Sequence, residues 1–439
     1  MIKDCVIALD LGTTAFKCAP VDEMGLLAEP IVAGYDLDYE DGNVTFEPGR
    51  YVDLAETALR GGVRAAHAAG YTVRSIGISS QAQTYIPLDR SGLPLQKAIV
   101  WTDGRAVDEA GEVATLIPDF VHHSGFKKPL PELFMLKVRH FARSSGIPLR
   151  DVWKFTLLNE FIIFSLTGQV YGDTTNQGMS GFYHITRREW SQAALSYAGI
   201  SPAQLAEVAP AASLTYPLSP LWRTRLELGA VPVYSCGNDQ SCAAAGAGLA
   251  STGDFLCNFG TAMVIYALKD NLPDALLDKQ IAGISPITGG FFLLGVEDEC
   301  GNVLEWAHRV CYSGEPFATM MEQALSTPVD PQSLPRVIFP GGGRIQIEGL
   351  TVGHERWQVV RALLERYSDT FGVLLAGVRG ERNLPVTPTH QFFAAGGISR
   401  SAIWLRTLSE RFGVQFHRTA TEQPGLVGVA RIIQHRIKP

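Results

Sequence analysis

The 439-residue sequence predicts an α/β protein built as two related halves. Two observations carry that expectation. Strand-forming runs alternate with helix-period runs in both halves, the mark of layered α/β architectures. One local pattern also occurs twice: a strand-forming run, then an acid or amide, any residue, Gly-Thr, and a second strand-forming run. The first copy spans Val6 to Lys17 and turns at Asp10-Leu11-Gly12-Thr13-Thr14. The second spans Phe255 to Tyr266 and turns at Asn258-Phe259-Gly260-Thr261. Each is expected to be a pair of strands joined by a tight turn.

The remaining elements follow in order. Arg74 to Ser79 is a strand leading into Gln81-Ala82-Gln83-Thr84, and Tyr85 to Leu88 is another. Asp89-Arg90-Ser91-Gly92 has turn composition. Ala98 to Trp101 is a short buried strand before Thr102-Asp103-Gly104-Arg105. His122-His123 is expected in a solvated loop. Asp151 to Leu166 reads as a helix, with Phe155, Leu158, Ile162 and Leu166 on one face and Gly168 as its C-terminal cap. Prolines at 210, 217, 220 and 232 put the domain boundary at 230/231, giving domains 1–230 and 231–439. The second domain then opens with a strand from Val231 to Cys236, the turn Gly237-Asn238-Asp239-Gln240 and a small-residue helix from Ser241 to Gly248. Glu355 to Val378 has long helical periodicity. A strand from Gln391 to Ala394 runs through Ala395-Gly396-Gly397 into a helix from about Ser401, closed by Gly413. A short helix after Pro424 ends the chain.

Composition narrows the function classes. Hydrophobic residues make up 46% and charged residues 18%, an ordinary globular balance. A net charge of −7 and the absence of basic–aromatic runs exclude nucleic acid as the main partner. No leader pattern precedes the first strand, and the apolar runs fall short of a membrane span. The seven cysteines show no Cys-x-x-Cys pair, so neither a zinc site nor a disulfide framework is expected. A cytoplasmic location follows from that usage. A homodimer is a default expectation for a cytosolic protein of this kind.

Five segments carry candidate chemistry. In the first turn, Gly12 is expected to permit positive φ and close backbone approach. The Thr13 and Thr14 hydroxyls suit phosphate oxygens, Lys17 offsets their charge, and Asp10 suits water-mediated Mg²⁺. A plain polar hairpin fits the same residues. Gly260 and Thr261 repeat the turn without the acid, which suits phosphate without metal. Asp239, at a strand end, suits a general base for a substrate hydroxyl, and equally a helix N-cap. Gly396 and Gly397, between strand and helix, leave backbone open to a flat ring or a phosphate, as they also would in a structural connector. Trp101, Asp103 and Arg105 suit a polyol; the alternative is a buried tryptophan beside a surface ion pair.

In their order, these pieces resemble the FGGY carbohydrate kinases, xylulose kinase-like and pentulose kinase-like, within the actin-like ATPase superfamily. The resemblance rests on Asp10 to Lys17, Gly77-Ile78-Ser79-Ser80-Gln81, and Leu88 through Leu95 to Trp101-Thr102-Asp103-Gly104-Arg105. It continues through Leu166-Thr167-Gly168, Asp173, Trp190, Gly237-Asn238-Asp239-Gln240, Asn258-Phe259-Gly260-Thr261 and Phe393 to Ser399, ending at Trp404. It implies two ribonuclease-H-like domains flanking a deep cleft, with sugar mainly on the N-terminal domain and ATP on the C-terminal one. It implies Asp239 as catalytic base, Asp10 working with Mg²⁺, and Thr13 and Thr14 near the transferred phosphate. Gly260 and Thr261 would contact the ATP phosphates, Gly396 and Gly397 the adenosine. Gln81, Gln83, Trp101, Asp103 and Asp239 would border the sugar.

The chain departs from the family in three places. Xylulose kinases usually carry Gln-Met-His-Gly, and glycerol kinases Gln-Arg-Glu-Thr, where this chain has Gln81-Ala82-Gln83-Thr84. Gly341-Gly342-Gly343-Arg344-Ile345 replaces the usual Gly-Glu-Arg-x-Pro. The chain is also shorter than typical members. The expected reaction is ATP-dependent phosphorylation of a primary hydroxyl on a small sugar, a ketopentose such as xylulose or ribulose. Two other readings stay open at this point: a non-catalytic sugar-binding or regulatory protein on a kinase scaffold, and an actin-like ATPase with no sugar substrate.

Overall fold

The computed structural model describes residues 3–272, 280–298, 300–341, 344–379 and 390–437. Gly342 and Gly343 of the altered segment therefore lie outside the described residues. The chain divides into two compact units. The first holds Met1–Gly246, Asp270–Phe291 and Gln423–Pro439; the second holds Ala247–Lys269 and Phe292–Glu422.

The first unit is organised by a seven-stranded sheet. The strand Lys3–Leu11 is apolar and buried from Cys5 to Leu9 and sits near its centre. It pairs antiparallel with Ala15–Asp22 through the first Gly-Thr turn, and parallel with Tyr71–Ser80. Pro232–Asn238 pairs parallel with Tyr71–Ser80 on its far side. That pairing is why the first unit runs on to Gly246 rather than stopping near 230: the strand expected to open the second domain is an inner strand of this sheet. Helix Asp239–Ala247 follows it and packs on the terminal helix Pro424–Ile437. Added Cβ atoms at Gly246 and Gly428 would lie 1.7 Å from the Pro424 and Cys242 carbonyl oxygens, so only glycine permits this crossing.

A smaller sheet in the same unit runs Lys154–Leu157, Tyr85–Leu88, Ala98–Ile99, Asn43–Phe46, Asp38–Glu40. Its first strand overturns part of one expectation. Residues 154–157 are not helical; the helix spans only Leu158–Thr167 and ends on Gly168 at φ +76°. Phe155, Thr156 and Leu157 are all buried and pair with Tyr85–Leu88, and tertiary pairing overrides a helical spacing that begins too early. His123 is also not solvated. It lies in the short helix Phe120–Ser124, buried, with Nε2 2.9 Å from the Gly181 carbonyl oxygen.

The second unit repeats the central motif. Phe255–Phe259 pairs antiparallel with Met263–Lys269 through the second Gly-Thr turn, and parallel with Phe392–Ala395. Phe416–Arg418 adds parallel to the far side. The helices Arg356–Arg379 and Ala402–Phe412 lie where helical periodicity places them, the second ending on Gly413 at φ +63°. All seven cysteines are free. Among the described residues, no helix is long and apolar enough to cross a membrane.

Candidate active site

In the first unit, three strands end side by side. Parallel register sets Asp10 opposite Ser79, Leu11 opposite Ser80, and Ser80 opposite Asn238. The carboxyl ends of parallel strands are where open α/β sheets bind ligands, because the chain turns away there and leaves backbone groups and side chains exposed. Asp10, Ser79, Gln81, Asn238 and Asp239 all emerge at this edge.

Asp239 is the first residue of its helix, and the capping function expected as its alternative falls to its neighbour. The Asn238 Oδ1 accepts the Ser241 backbone N–H at 2.8 Å. Asp239 keeps one local bond, from the Gln240 N–H to Oδ1 at 2.8 Å. Burial raises its pKa first and the Asp10 charge raises it further, to about 7. Asp10 is also raised, by burial, against the opposing pull of the Ser79 hydroxyl and the Lys17 cation. Ser79 Oγ donates to Asp10 Oδ1 at 2.9 Å. Lys17 sits cross-strand from Asp10, with Nζ 3.4 Å from Gln423 Oε1. A Cβ at Gly425, on the terminal helix, would lie 3.6 Å from Asp10 Oδ2. Two neighbouring carboxylates with oriented oxygens fit a hydrated Mg²⁺, which takes one or two carboxylates and completes its shell with water and phosphate. Among the described residues no group of three or more His, Cys, Asp or Glu could hold a metal, so a caged transition-metal site is not the pattern here.

The first turn differs in detail from its expectation. Gly12 does not adopt positive φ. Its need is steric: a Cβ would lie 2.9 Å from the Ala15 carbonyl oxygen. Thr13 is already committed, since its hydroxyl donates to Gln81 Oε1 at 3.0 Å and accepts the Trp101 Nε1–H at 2.8 Å. Thr14 is exposed, so of the two hydroxyls it is the more available to phosphate.

The sugar-side residues also separate into open and committed groups. Trp101 is 40% exposed, while Asp103 is fully buried, the reverse of a buried tryptophan beside a surface ion pair. Asp103 accepts the Val44 N–H at 2.6 Å and Arg105 Nε and NH2 at 2.7 Å each. Its pKa is lowered: burial opposes ionisation, and the Arg105 and Val44 donors overcome it. Asp103 therefore positions Arg105 and has no open face. Gln83 is likewise engaged at both ends. Its Nε2 donates to the Met179 carbonyl oxygen and its Oε1 accepts the Phe134 N–H at 2.8 Å. Gln83 sits at φ +67°, an uncommon conformation for a side-chain-bearing residue. Met179 links this segment to the strand end, because Asn238 Nδ2 donates to its sulfur at 2.9 Å. Behind Trp101, Lys137 is fully buried with Nζ donating to the Val100 carbonyl oxygen at 3.0 Å, and burial lowers its pKa to about 7.

Ser79, Asn238 and Met179 join this constellation without having been singled out in sequence. Ser79 could have been found from the strand register beside Asp10. Met179 carries no local signal, because its part is played by a carbonyl oxygen and a sulfur.

In the second unit, Gly260, Thr261 and Gly397 line one cavity of about 930 Å³ with Gly301, Ile403 and Arg406. That volume suits a nucleoside-sized ligand. Gly396 stands behind it at φ +85°, where a Cβ would lie 2.5 Å from the Phe259 carbonyl. A Cβ at Gly397 would meet nothing within 4 Å, so its backbone is open. The Gly301 N–H donates to the Gly260 carbonyl oxygen at 2.9 Å and braces the turn against the helix Gly301–Cys311.

Residues 5–246 match the N-terminal domain model of the FGGY family of carbohydrate kinases. A xylulose kinase of Staphylococcus epidermidis is 22% identical over 98% of this chain and 87% of its own. Among solved structures, a ligand-bound xylulose kinase from Lactobacillus acidophilus superposes with a TM-score of 0.88 at 19% identity, covering 99% of this chain and 90% of that one. A gluconate kinase from the same organism gives 0.87 at 19% identity, covering 98% and 89%.

Proposed function

The chain belongs to the FGGY family of carbohydrate kinases, with the actin-like ATPase fold, and on that premise we propose that it uses ATP to phosphorylate a primary hydroxyl of a ketopentose such as xylulose or ribulose. One observation supports the chemistry above the others. Asp239 follows a strand that flanks Tyr71–Ser80 on the side opposite the Asp10 strand and feels the Asp10 charge, with its pKa raised to about 7 and its capping duty carried by Asn238. A carboxylate near neutrality is a competent base at physiological pH.

In this reading Asp239 accepts the proton of the attacking hydroxyl as the new O–P bond forms and the terminal phosphoryl group leaves ADP. Asp10, oriented by Ser79, would hold Mg²⁺ through water. Mg²⁺, when bound, neutralises charge on the phosphates. Thr14 and the backbone at Gly12 hold phosphate oxygens, and Lys17 balances the two acids. Trp101 offers its exposed ring to the apolar C–H face of the sugar, with Thr13 and Gln81 fixing its indole. Gly260, Thr261 and Gly397 line the adenine-nucleotide cavity. Positioning and electrostatics supply most of the rate, as expected for phosphoryl transfer. The seven free thiols support a cytoplasmic setting.

The test is ADP release with Mg-ATP across a panel of xylulose, ribulose, gluconate and glycerol. The proposal expects highest kcat/KM on a ketopentose. Preference for gluconate would move the substrate to sugar acids, and turnover of ATP with no sugar response would reject the kinase reading of the site.

A further inference from the structure

The second unit holds another cavity, of about 820 Å³, which shares no lining residue with the one beside Gly260 and Gly397. Its charged lining is Arg336, Arg366, Arg411, Glu365 and Asp369. Leu334, Val337 and Ala362 supply apolar wall. Three guanidinium groups thus meet two carboxylates.

The pairing leaves a clear surplus. Arg411 bonds to Asp369 and, at 3.1 Å, to Glu365, while Arg361 Nε donates to Glu365 at 2.7 Å. Both carboxylates are therefore matched. Arg336 reaches Glu348 at 3.3 Å, but that pair is open to solvent and weak. Among the described residues, the Arg366 guanidinium has one contact, the face of the Phe339 ring at 5.7 Å, and meets no carboxylate. Arginine forks without a carboxylate partner match phosphate oxygens in geometry and charge. The volume and the apolar wall fit a carbon framework rather than a bare ion.

We infer that this cavity is a second ligand site, separate from the nucleotide cavity, for an organic phosphate monoester whose phosphate is held by Arg366 and Arg336. A phosphorylated sugar and a nucleoside monophosphate both present that group. The inference does not depend on the identity of the sugar substrate.

Calorimetric titration of the full chain, saturated with Mg-ADP to fill the nucleotide cavity, tests it. The probes are ribose 5-phosphate, AMP and inorganic phosphate. The expected result is saturable binding of one ester, tighter than inorganic phosphate, with the two ester arms separating a sugar from a nucleotide source. Arg366→Ala should weaken that binding about tenfold or more, Arg366→Lys less, as loss of a charge-assisted fork predicts. Arg336→Ala, at a solvent-open position, gives a second reading that does not depend on the first variant folding. Turnover without the ester should be unchanged in all three. No saturable binding of either ester, or affinity in both Arg366→Ala and Arg336→Ala equal to that of the parent chain, would overturn the site.

Discussion

The two Gly-Thr turns share a backbone plan and differ in charge. Each joins an antiparallel strand pair whose first strand also pairs parallel with a later one. In the first unit the position before the turn is Asp10, coupled to Asp239 and balanced by Lys17. In the second it is Asn258, and the turn opens on a cavity with its backbone braced by Gly301. The same hairpin thus serves two kinds of work. With an acid it places charge near Asp239, where the proposed function puts proton transfer and Mg²⁺, and with an amide it leaves a neutral turn beside the cavity. The glycines differ in the same sense. Gly12 is required by close approach to Ala15, while in the second unit the strict requirement has moved to Gly396, at positive φ behind the turn.

That contrast can be broken at either end. Asp239→Asn is expected to have the largest effect, lowering kcat by ~10²–10⁴-fold, as for loss of a general base, with ADP affinity nearly unchanged. The same variant should be more stable than the parent at pH 8. A carboxyl with a raised pKa binds its proton more tightly folded than unfolded, so its contribution to stability falls as pH rises from about 4 towards 7. Thermal melts should therefore show an advantage for Asp239→Asn that shrinks on acidification.

Gly396→Ala tests the neutral cradle. A side chain at φ +85°, against the Phe259 carbonyl, should cost about 1–3 kcal/mol and weaken ATP binding, read by denaturant melts and nucleotide titration. Lys137→Met probes the packing behind the charged side. The folded pKa near 7 lies below the unfolded value of 10.5, so the ammonium opposes folding most strongly below pH 7. The variant should gain about 1–3 kcal/mol at pH 7 and progressively less towards pH 10. Trp101→Phe keeps an aromatic face and removes the bond to Thr13. The expected loss in kcat/KM for the sugar is about 2–10-fold, the scale of one hydrogen bond, with the KM for ATP unmoved.

The sequence made the hairpins legible because their information is local: strand-forming runs broken by a Gly-Thr turn. The long helix and the glycine caps at 168 and 413 were legible for the same reason. What escaped depends on distant partners. Residues 154–157 are a strand only because Tyr85–Leu88 is there to pair with them. His123 is buried with its ring nitrogen against the Gly181 carbonyl, 58 residues along the chain. Asp103 and Gln83 looked available for substrate; Arg105 is a near neighbour of Asp103, but the commitments to Val44, Phe134 and Met179 arise from contacts far along the chain. Asp239 was ambiguous between base and helix cap; only the geometry, in which Asn238 accepts the Ser241 N–H, separates the two.

The most direct measurement is the pH dependence of kcat/KM for the preferred sugar under saturating Mg-ATP. Activity should rise along an acidic limb near pH 7, where Asp239 gives up its proton, and carbonyl-carbon NMR of Asp10→Asn should place the same carboxyl lower once the neighbouring charge is removed. A profile that stays level from pH 5 to pH 8, or an Asp239 titration indifferent to Asp10, would contradict the coupled pair at the strand ends.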